Sequence, residues 1–159
     1  MVSDPSLRSR TRIRLVAESY AQTANVCSVT VAVKARRPVF VKAELAIAAL
    51  ETLRHLADEH DVPVYAYCIM PDHVHMVLSP SNTCDIITFV GRFKNLMLRT
   101  AWSHGAMGSF WQRSFWDHFV RDDQDLQQLV AYVLTNPVRA GLVQEWSHYP
   151  YSGSLAHLP

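Results

Sequence analysis

Two histidines separated by one residue, His73 and His75, are the first side chains in this sequence whose type and spacing could do chemistry. On a β-strand, residues two apart project to the same face, so both imidazoles would stand side by side while Val74 faces the opposite way. Neutral imidazole is a common metal ligand, and two of them form half of a metal site. The same spacing also fits two surface histidines on an amphipathic strand.

A second group of chemically capable side chains lies in the sequence YVLTNPVRAG, which begins at Tyr132. Tyr132 and Asn136 are four residues apart, so a helix would bring a phenol and a carboxamide to one face. Pro137 biases Asn136 away from helical geometry. Tyr132 fits an amphipathic core residue equally well, and Arg139 and Gly141 by themselves fit a helix C-terminal turn.

The elements that must position these side chains follow from hydrophobic periodicity. The order βαββαβα predicts an α+β fold of the ferredoxin-like or RNA-recognition-like type. In such a fold the helices pack on one face of an antiparallel sheet and leave the other face free to bind. A Pro-Asp turn would join the middle strands, and Asp85 would cap the second helix. Strands are expected at residues 26–33, 64–70, 73–78 and 110–121, and helices at residues 43–60, 86–102 and 126–135.

Composition excludes several classes of protein. With 159 residues, 49% hydrophobic and 18% charged, the chain should form one folded domain. It has no apolar run long enough for a membrane span and begins with a polar, Arg-rich segment, so we expect a cytoplasmic protein with no membrane partner. Five glycines without a GxxxxGK or GxGxxG motif argue against a nucleotide-driven enzyme. The three cysteines are widely spaced, and we expect buried free thiols: Cys27, Cys68 and Cys84.

The charges are segregated along the chain although the net charge is only +1. Residues 86–116 hold four basic side chains and no carboxylate, and alternating arginines begin at Arg8. Such segregation fits one surface that faces a polyanion and one solvated acidic surface. Ordinary solvated faces are often charge-biased as well, so this pattern alone does not identify a partner.

Taken together, three segments resemble a known family. The sequences AYCIMPDHVH, FWQRSFWDH and YVLTNPVRAGLV begin at Ala66, Phe110 and Tyr132, and they come in the order and rough spacing of that family. The chain resembles the HUH single-tyrosine (Y1) transposases of the IS200/IS605 type, in particular the REP-associated tyrosine transposases. The resemblance covers most of residues 26–151. The combination of PDHVH with a downstream YxxxNPVRAGLV is specific, whereas HxH alone would be weak.

The resemblance implies a metal-dependent endonuclease and strand transferase that acts on single-stranded DNA. By analogy, His73 and His75 hold Mg²⁺ or Mn²⁺, Asn136 completes the protein ligands, and Tyr132 attacks a phosphodiester to leave a 5′-phosphotyrosine link. A phenol is a weak nucleophile at neutral pH, so a metal that neutralises the phosphate would be needed. The resembled enzymes act as dimers on hairpin-forming repeats, so a homodimer and hairpin DNA are expected here.

The remaining expectations concern contacts with DNA and domain limits. His118 could be a general acid, a phosphate contact or a structural residue. Trp111, Phe115 and Trp116 could stack unpaired bases or belong to the core. The expected limits are a basic arm at residues 1–24, the transposase domain at 25–151 and a tail at 152–159. The side chains assigned to DNA phosphates are Arg92, Lys94, Arg99, Arg113 and Arg139, with Arg36 and Arg37 as further contacts.

Two other functions are compatible with the same residues. The first is a non-catalytic protein, derived from a transposase, that binds single-stranded nucleic-acid hairpins and would need neither metal nor Tyr132. The second is a metal-dependent phosphoesterase that uses His73 and His75 with a water nucleophile. Such two-histidine enzymes need a second HxH or Hx[ST] copy, and the sequence has none.

Overall fold

A computed structural model describes residues 17–120 and 122–159 of the chain. The alternating arginines that begin at Arg8 lie outside these residues. Within them the chain forms five strands, four helices and several short 3₁₀ turns. The elements are β1 (Cys27–Ala32), α1 (Ala43–His60), β2 (Val64–Met70), β3 (His73–Leu78), α2 (Ile86–Ser103), β4 (Trp116–Phe119), α3 (Asp123–Leu134), α4 (Asn136–Arg139) and β5 (Ser152–Gly153).

The strands form one antiparallel sheet in the order β4-β1-β3-β2-β5. The α+β class and the predicted order βαββαβα are therefore confirmed. β2 and β3 form a hairpin across Pro71 and Asp72, as the turn-type pair predicts. The hairpin turn is held by backbone donors from the segment after β1, since Val33 N–H donates to Asp72 O and Phe40 N–H donates to Pro71 O.

Helices cover both faces of the sheet, which differs from the one-faced packing expected from the sequence. α1 and α2 pack with Val29, Val74 and Met76 in the main core. α3 packs on the opposite face over β2 and β3, where Leu126 and Val133 meet a second apolar cluster. The physical reason lies in β2, whose seven residues are all buried, because a strand without polar alternation must be covered on both sides.

The predicted long strand at residues 110–121 is mostly a loop. Trp111 forms one isolated bridge with Val33, and regular pairing resumes only where Trp116 meets Thr30. Four residues on this segment therefore oppose two on β1, so the segment between the two pairs bulges out of the sheet. β4 is the short edge strand that remains.

Helix ends follow the capping residues that the sequence supplies. The Asp85 side chain accepts a hydrogen bond from Thr88 N–H, which confirms the predicted cap of α2. The last long helix begins at Asp123, slightly earlier than predicted, behind an Asp122 cap. Pro137 separates α3 from α4 because it has no N–H to donate to the preceding turn, yet a proline fits within the first turn of the new helix.

Both expected domain limits fall inside the folded unit. Tyr20 is buried in the main core, so the folded region begins before residue 25. At the other end, Ser152 and Gly153 pair with Cys68 and Tyr67 and extend the sheet past the expected limit at residue 151.

All three cysteines are buried free thiols, as predicted. No helix in the described part of the chain is both long and apolar enough to cross a membrane.

Candidate active site

β3 presents His73 and His75 on the sheet face opposite α1 and α2, with Val74 turned into the main core, as the strand period predicts. Their two Nε2 atoms lie 2.9 Å apart, and the rings are nearly perpendicular. Both side chains are only partly accessible. The two histidines are therefore joined at their Nε2 atoms, and one of these atoms must donate a proton to the other when no cation lies between them.

The other ring nitrogen of each histidine is held by a separate partner. His73 Nδ1 lies 2.5 Å from Asp72 Oδ1, and the second oxygen of that carboxylate pairs with Arg36 Nε at 2.9 Å. His75 Nδ1 lies 2.8 Å from Thr30 Oγ1 on β1. Because the Asp72 carboxylate can only accept a hydrogen bond, His73 Nδ1 carries the hydrogen and donates it, which leaves the His73 Nε2 lone pair free for a cation. The Thr30 hydroxyl can accept from His75 Nδ1–H in the same way.

Burial keeps both imidazoles neutral. Burial is the largest cause that lowers the pKa of His75 to about 3, and the positive charges near it, from His73 when protonated and from Arg139 and Arg36, contribute to the same shift. Burial also lowers the pKa of His73, although the Asp72 carboxylate opposes this effect. Neutral imidazoles are the form that binds a metal, so at neutral pH neither ring has to lose a positive charge before it can bind one.

The histidine pair fits a divalent cation. Nitrogens 2.9 Å apart can both reach one ion at about 2.1 Å, with an angle near 90° at the ion, which is the cis angle of an octahedral shell. Within the described residues, no three His, Cys, Asp or Glu side chains form a metal cluster. A third protein ligand from these residues would therefore be of another type, which is compatible with the amide oxygen expected from Asn136.

Tyr132 lies near the end of α3 and is 50% exposed. The Arg139 guanidinium stacks on its ring at 3.8 Å, donates from Nη2 to the Tyr132 carbonyl and donates from Nη1 to Thr135 Oγ1. Since Arg139 also lowers the pKa of His75, it lies within electrostatic range of the histidine pair. Arg139 therefore contacts Tyr132 directly and acts on the histidines through its charge.

Accessibility distinguishes Tyr132 from the other five tyrosines, all of which lie in described residues. Tyr20, Tyr65 and Tyr67 are buried, and Tyr151 is half-buried. The Tyr149 hydroxyl donates to the Ile69 carbonyl, and burial raises its pKa. Tyr132 is the phenol that a polymer substrate can reach.

Asn136 begins α4 four residues after Tyr132 and is half-buried. Thr135, between α3 and α4, has φ −87° and ψ 0°, so the chain stays close to helical geometry despite the proline. The Asn136 side chain makes no hydrogen bond with the described residues. Its amide is thus uncommitted, and its role as a ligand remains a prediction.

The side chains assigned to DNA phosphates are spread over different parts of the fold. Arg36 and Arg139 act electrostatically on the histidine pair. Arg37 is exposed and donates to Lys34 O and, weakly, to Ser109 O. The others lie on α2 or in the loop before β4. Arg92 contacts His60 Nε2, Lys94 donates to Gln112 O, and Arg99 and Arg113 are exposed.

The aromatic residues before and within β4 divide into core and surface. Trp111 is only 8% exposed, packs on Phe93 and Phe110, and donates its indole N–H to Lys94 O. A base cannot stack on a buried ring. Of the two roles expected for Trp111, base stacking is therefore wrong, and the residue belongs to the core. Phe115 packs against the main core, and Trp116 is exposed.

His118 is exposed on β4, where it pairs with Ser28, and it lies two residue pairs further from the histidines than Trp116.

Sequence reasoning missed the two side chains that orient the histidines. Asp72 precedes His73 directly, and its position in the motif was the available signal. Thr30 lies 45 residues from His75, so only the register of β1 against β3 brings them together.

A REP-associated tyrosine transposase bound to a REP hairpin matches with a TM-score of 0.73 and 21% identity, over 90% of this chain and 82% of that chain. A Deinococcus radiodurans protein provisionally described as a transposase matches with a TM-score of 0.52 and 22% identity, over 79% and 95% of the two chains. These structures share the fold.

The relationship is also visible in sequence. A Haemophilus influenzae protein provisionally named a REP-associated tyrosine transposase is 28% identical over 110 residues, and the match spans 62% of each chain. The REP-associated tyrosine transposase of Escherichia coli K12 is 28% identical over 116 residues, 70% of this chain and 68% of that protein. The family described as "Transposase IS200 like" matches residues 23–136. The chain belongs to this family, which confirms the resemblance drawn from its motifs.

Proposed function

We propose that this protein is a metal-dependent endonuclease and strand transferase that acts on single-stranded DNA at hairpin-forming repeats. The observation that carries the proposal is the histidine pair, whose Nε2 atoms lie 2.9 Å apart while Asp72 and Thr30 hold both Nδ1 atoms. A solvent-accessible tyrosine, Tyr132, stacks with Arg139, and the charge of Arg139 acts on this pair. These are the parts that a phosphodiester transfer with a tyrosine nucleophile requires.

The reaction would exchange one phosphodiester for another. Tyr132 Oη forms a bond to phosphorus as the bond from phosphorus to the 3′ oxygen breaks. The phenolic proton is lost, and the departing oxygen gains a proton to become a free 3′-OH. The DNA is left joined to the protein through a 5′-phosphotyrosine. Attack by another 3′-OH reverses the steps and rejoins the strand, so no nucleotide cofactor is consumed.

His73 and His75 would hold the cation, with Asn136 as the expected third ligand. A bound Mg²⁺ or Mn²⁺ would supply Lewis-acid polarisation and charge neutralisation at the scissile phosphate. The protein ligands are all neutral, so they would leave the positive charge of the ion available to phosphate oxygens. Arg139 would hold the tyrosine ring by stacking and add a second positive charge near the phosphate.

Hairpin DNA is proposed as the substrate because the matching solved transposase is bound to a REP hairpin. The basic side chains expected to contact phosphates would bind the strand through charge, and this binding should weaken with salt. A homodimer is part of the proposal, following the resembled enzymes.

The experiment mixes the protein with labelled single-stranded hairpins from the DNA around its gene, in Mn²⁺, Mg²⁺ or EDTA. Denaturing gels and peptide mass analysis then detect covalent adducts. Wild type and a Tyr151→Phe control should form a metal-dependent adduct at Tyr132, and Tyr132→Phe should form none. An adduct that survives Tyr132→Phe would refute the nucleophile assignment. Tight binding without cleavage in either metal would favour a non-catalytic hairpin-binding protein.

A further inference from the structure

One cross-strand row of side chains connects the edge of the sheet to the histidine pair. Trp116 on β4 pairs with Thr30 on β1, and Thr30 pairs with His75 on β3. Directly paired residues of antiparallel strands project to the same face. The hydrogen bond between Thr30 Oγ1 and His75 Nδ1 is direct evidence that these side chains share a face. Trp116 therefore stands on the face that carries the histidines.

The Trp116 ring is accessible there. It is 54% exposed, although an indole of this size would normally be buried. α3 packs over β2 and β3, whereas Trp116 belongs to the edge strand. The half-buried Thr30 and Ser28 lie beside it on β1, and the exposed His118 follows two residues later on the same face. The result is an indole next to small polar side chains, open to solvent.

The charge on this part of the sheet suits a polyanion. Asp117 is the acidic residue of β4, but the strand alternation turns it to the opposite face, where its carboxylate accepts a hydrogen bond from the Tyr20 hydroxyl. Arg113 is exposed in the loop before β4. A nucleic-acid backbone that approaches Trp116 therefore meets Arg113 just before β4, whereas the exposed carboxylates of Asp122, Asp123 and Asp125 follow the far end of that strand.

The distance from Trp116 to the histidines is within reach of one DNA strand. Neighbouring strands lie about 4.8 Å apart, so two strand spacings separate Trp116 from His75 by about 10 Å. Successive nucleotides advance by about 3.4 Å in stacked DNA and by more when the strand is extended, so about three nucleotides or fewer cover this distance.

We propose that Trp116 is a stacking platform for an unpaired base of the cleaved strand, within about three nucleotides of the phosphate held at the histidine pair. The inference rests on the proposed function for the identity of the substrate. Stacking on an aromatic ring tolerates any base, so Trp116 would fix the position of the strand rather than read its sequence. It is a positioning residue, since it does not touch the reacting atoms.

The test measures equilibrium binding in EDTA, so that it does not depend on cleavage. The probe is a fluorescently labelled single-stranded oligonucleotide that carries a hairpin and its flanking nucleotides from the DNA beside the gene. Trp116→Ala should weaken binding about 5- to 150-fold, the usual range for a stacked base, and Trp116→Phe should recover most of the loss. Trp102→Ala is the matched control, because Trp102 is 49% exposed but lies on α2, which packs on the other face.

An abasic scan locates the stacked base. Bases near the cleavage position are removed one at a time. Removal at one position should weaken binding by the wild type, and removal at that same position should not weaken binding by Trp116→Ala any further. Equal binding by wild type and Trp116→Ala, or an equal loss in the Trp102→Ala control, would overturn the inference. So would losses that simply add at every abasic position, or a wild type that binds no oligonucleotide.

Two further measurements separate this inference from its rivals. If Trp116→Ala changes the oligomeric state in light scattering, the ring belongs to an interface between copies and the inference is overturned. If the wild type forms the metal-dependent adduct while Trp116→Ala binds normally, the stacking inference fails alone. If no adduct forms but the binding losses appear as expected, the proposed nuclease activity fails and the base site remains supported.

Discussion

At the scale of single residues, the site depends on side chains that orient the histidines. Asp72 and Thr30 each occupy one Nδ1 atom, so the two rings cannot rotate without losing a hydrogen bond. Arg36 in turn holds Asp72, and its backbone has a left-handed φ of 51°, directly after Ala35 at φ 56°. Such backbone geometry is unfavourable for residues with a Cβ, and the surrounding contacts must maintain it.

Removing the Thr30 hydroxyl tests this arrangement. We expect Thr30→Val to bind Mn²⁺ about 10- to 100-fold more weakly, because His75 loses the partner that fixes its tautomer and ring orientation. Isothermal titration of the metal into DNA-free protein measures this directly. Ser28→Ala, on the same strand and face, is the control and should leave the affinity unchanged. Equal Mn²⁺ affinity in wild type and Thr30→Val would show that Thr30 does not position His75.

The buried thiols predict how stability depends on alkaline pH. Burial raises the pKa of both Cys27 and Cys68 from 9.0 to about 12. Above pH 9 the unfolded chain therefore releases thiol protons that the native protein retains, so the free energy of unfolding falls as pH rises. At pH 10 the loss should be about 1.4 kcal/mol per thiol.

Urea unfolding at pH 8 and pH 10 measures this loss. A double variant, Cys27→Ala with Cys68→Ala, should be less sensitive to the pH change than the wild type by about 3 kcal/mol. The same sensitivity in both proteins would mean that these thiols ionise in the native state as they do in the unfolded chain.

At the scale of elements, capping residues determine where the helices begin. Asp85 accepts from both the backbone N–H and the hydroxyl of Thr88 at the start of α2. α2 supplies Phe89, Phe93 and Met97 to the main core, so its first turn supports the sheet beneath it. A cap of this kind satisfies a donor that the helix itself leaves unpaired.

We expect Asp85→Ala to lower the free energy of unfolding by about 1 kcal/mol, because the first-turn N–H of Thr88 loses its partner. Chemical denaturation measures the change. Asp85→Asn should retain most of the stability, since an amide oxygen caps nearly as well. A loss as large in Asp85→Asn as in Asp85→Ala would attribute the effect to charge rather than to capping.

At the scale of the whole molecule, the sheet separates two apolar clusters that hold different helices. The main core joins α1 and α2 to one face, and the smaller cluster attaches α3 to the other. Because α3 carries Tyr132, its packing on the sheet decides where the proposed nucleophile lies relative to the histidines. The smaller cluster should therefore affect activity more directly than the larger one.

Matched truncations in the two clusters test this division. Leu126→Ala and Leu53→Ala each remove a buried leucine, and each should cost about 2 to 5 kcal/mol. In native-state hydrogen exchange we expect Leu126→Ala to increase exchange mainly in α3, whereas Leu53→Ala should increase it across the sheet and both core helices. Increased exchange over the whole domain in Leu126→Ala would show that α3 does not open separately.

Local patterns in the sequence determined much of this protein. The bounds of α1, β2 and β3 agree with the predicted residues, because helical and strand periods are local properties of the chain. The shared face of His73 and His75 follows from the same strand period. The cap at Asp85 and the family motifs could be read without knowing which elements touch.

Only the tertiary structure decided how these parts meet. Strand register joins Thr30 to His75, and the bulge before β4 buries Trp111 while it leaves Trp116 exposed. Cover on both faces of β2 places α3 over the sheet. The physical reason is that register, bulges and face coverage depend on contacts between distant parts of the chain, so they are absent from any local hydrophobic period.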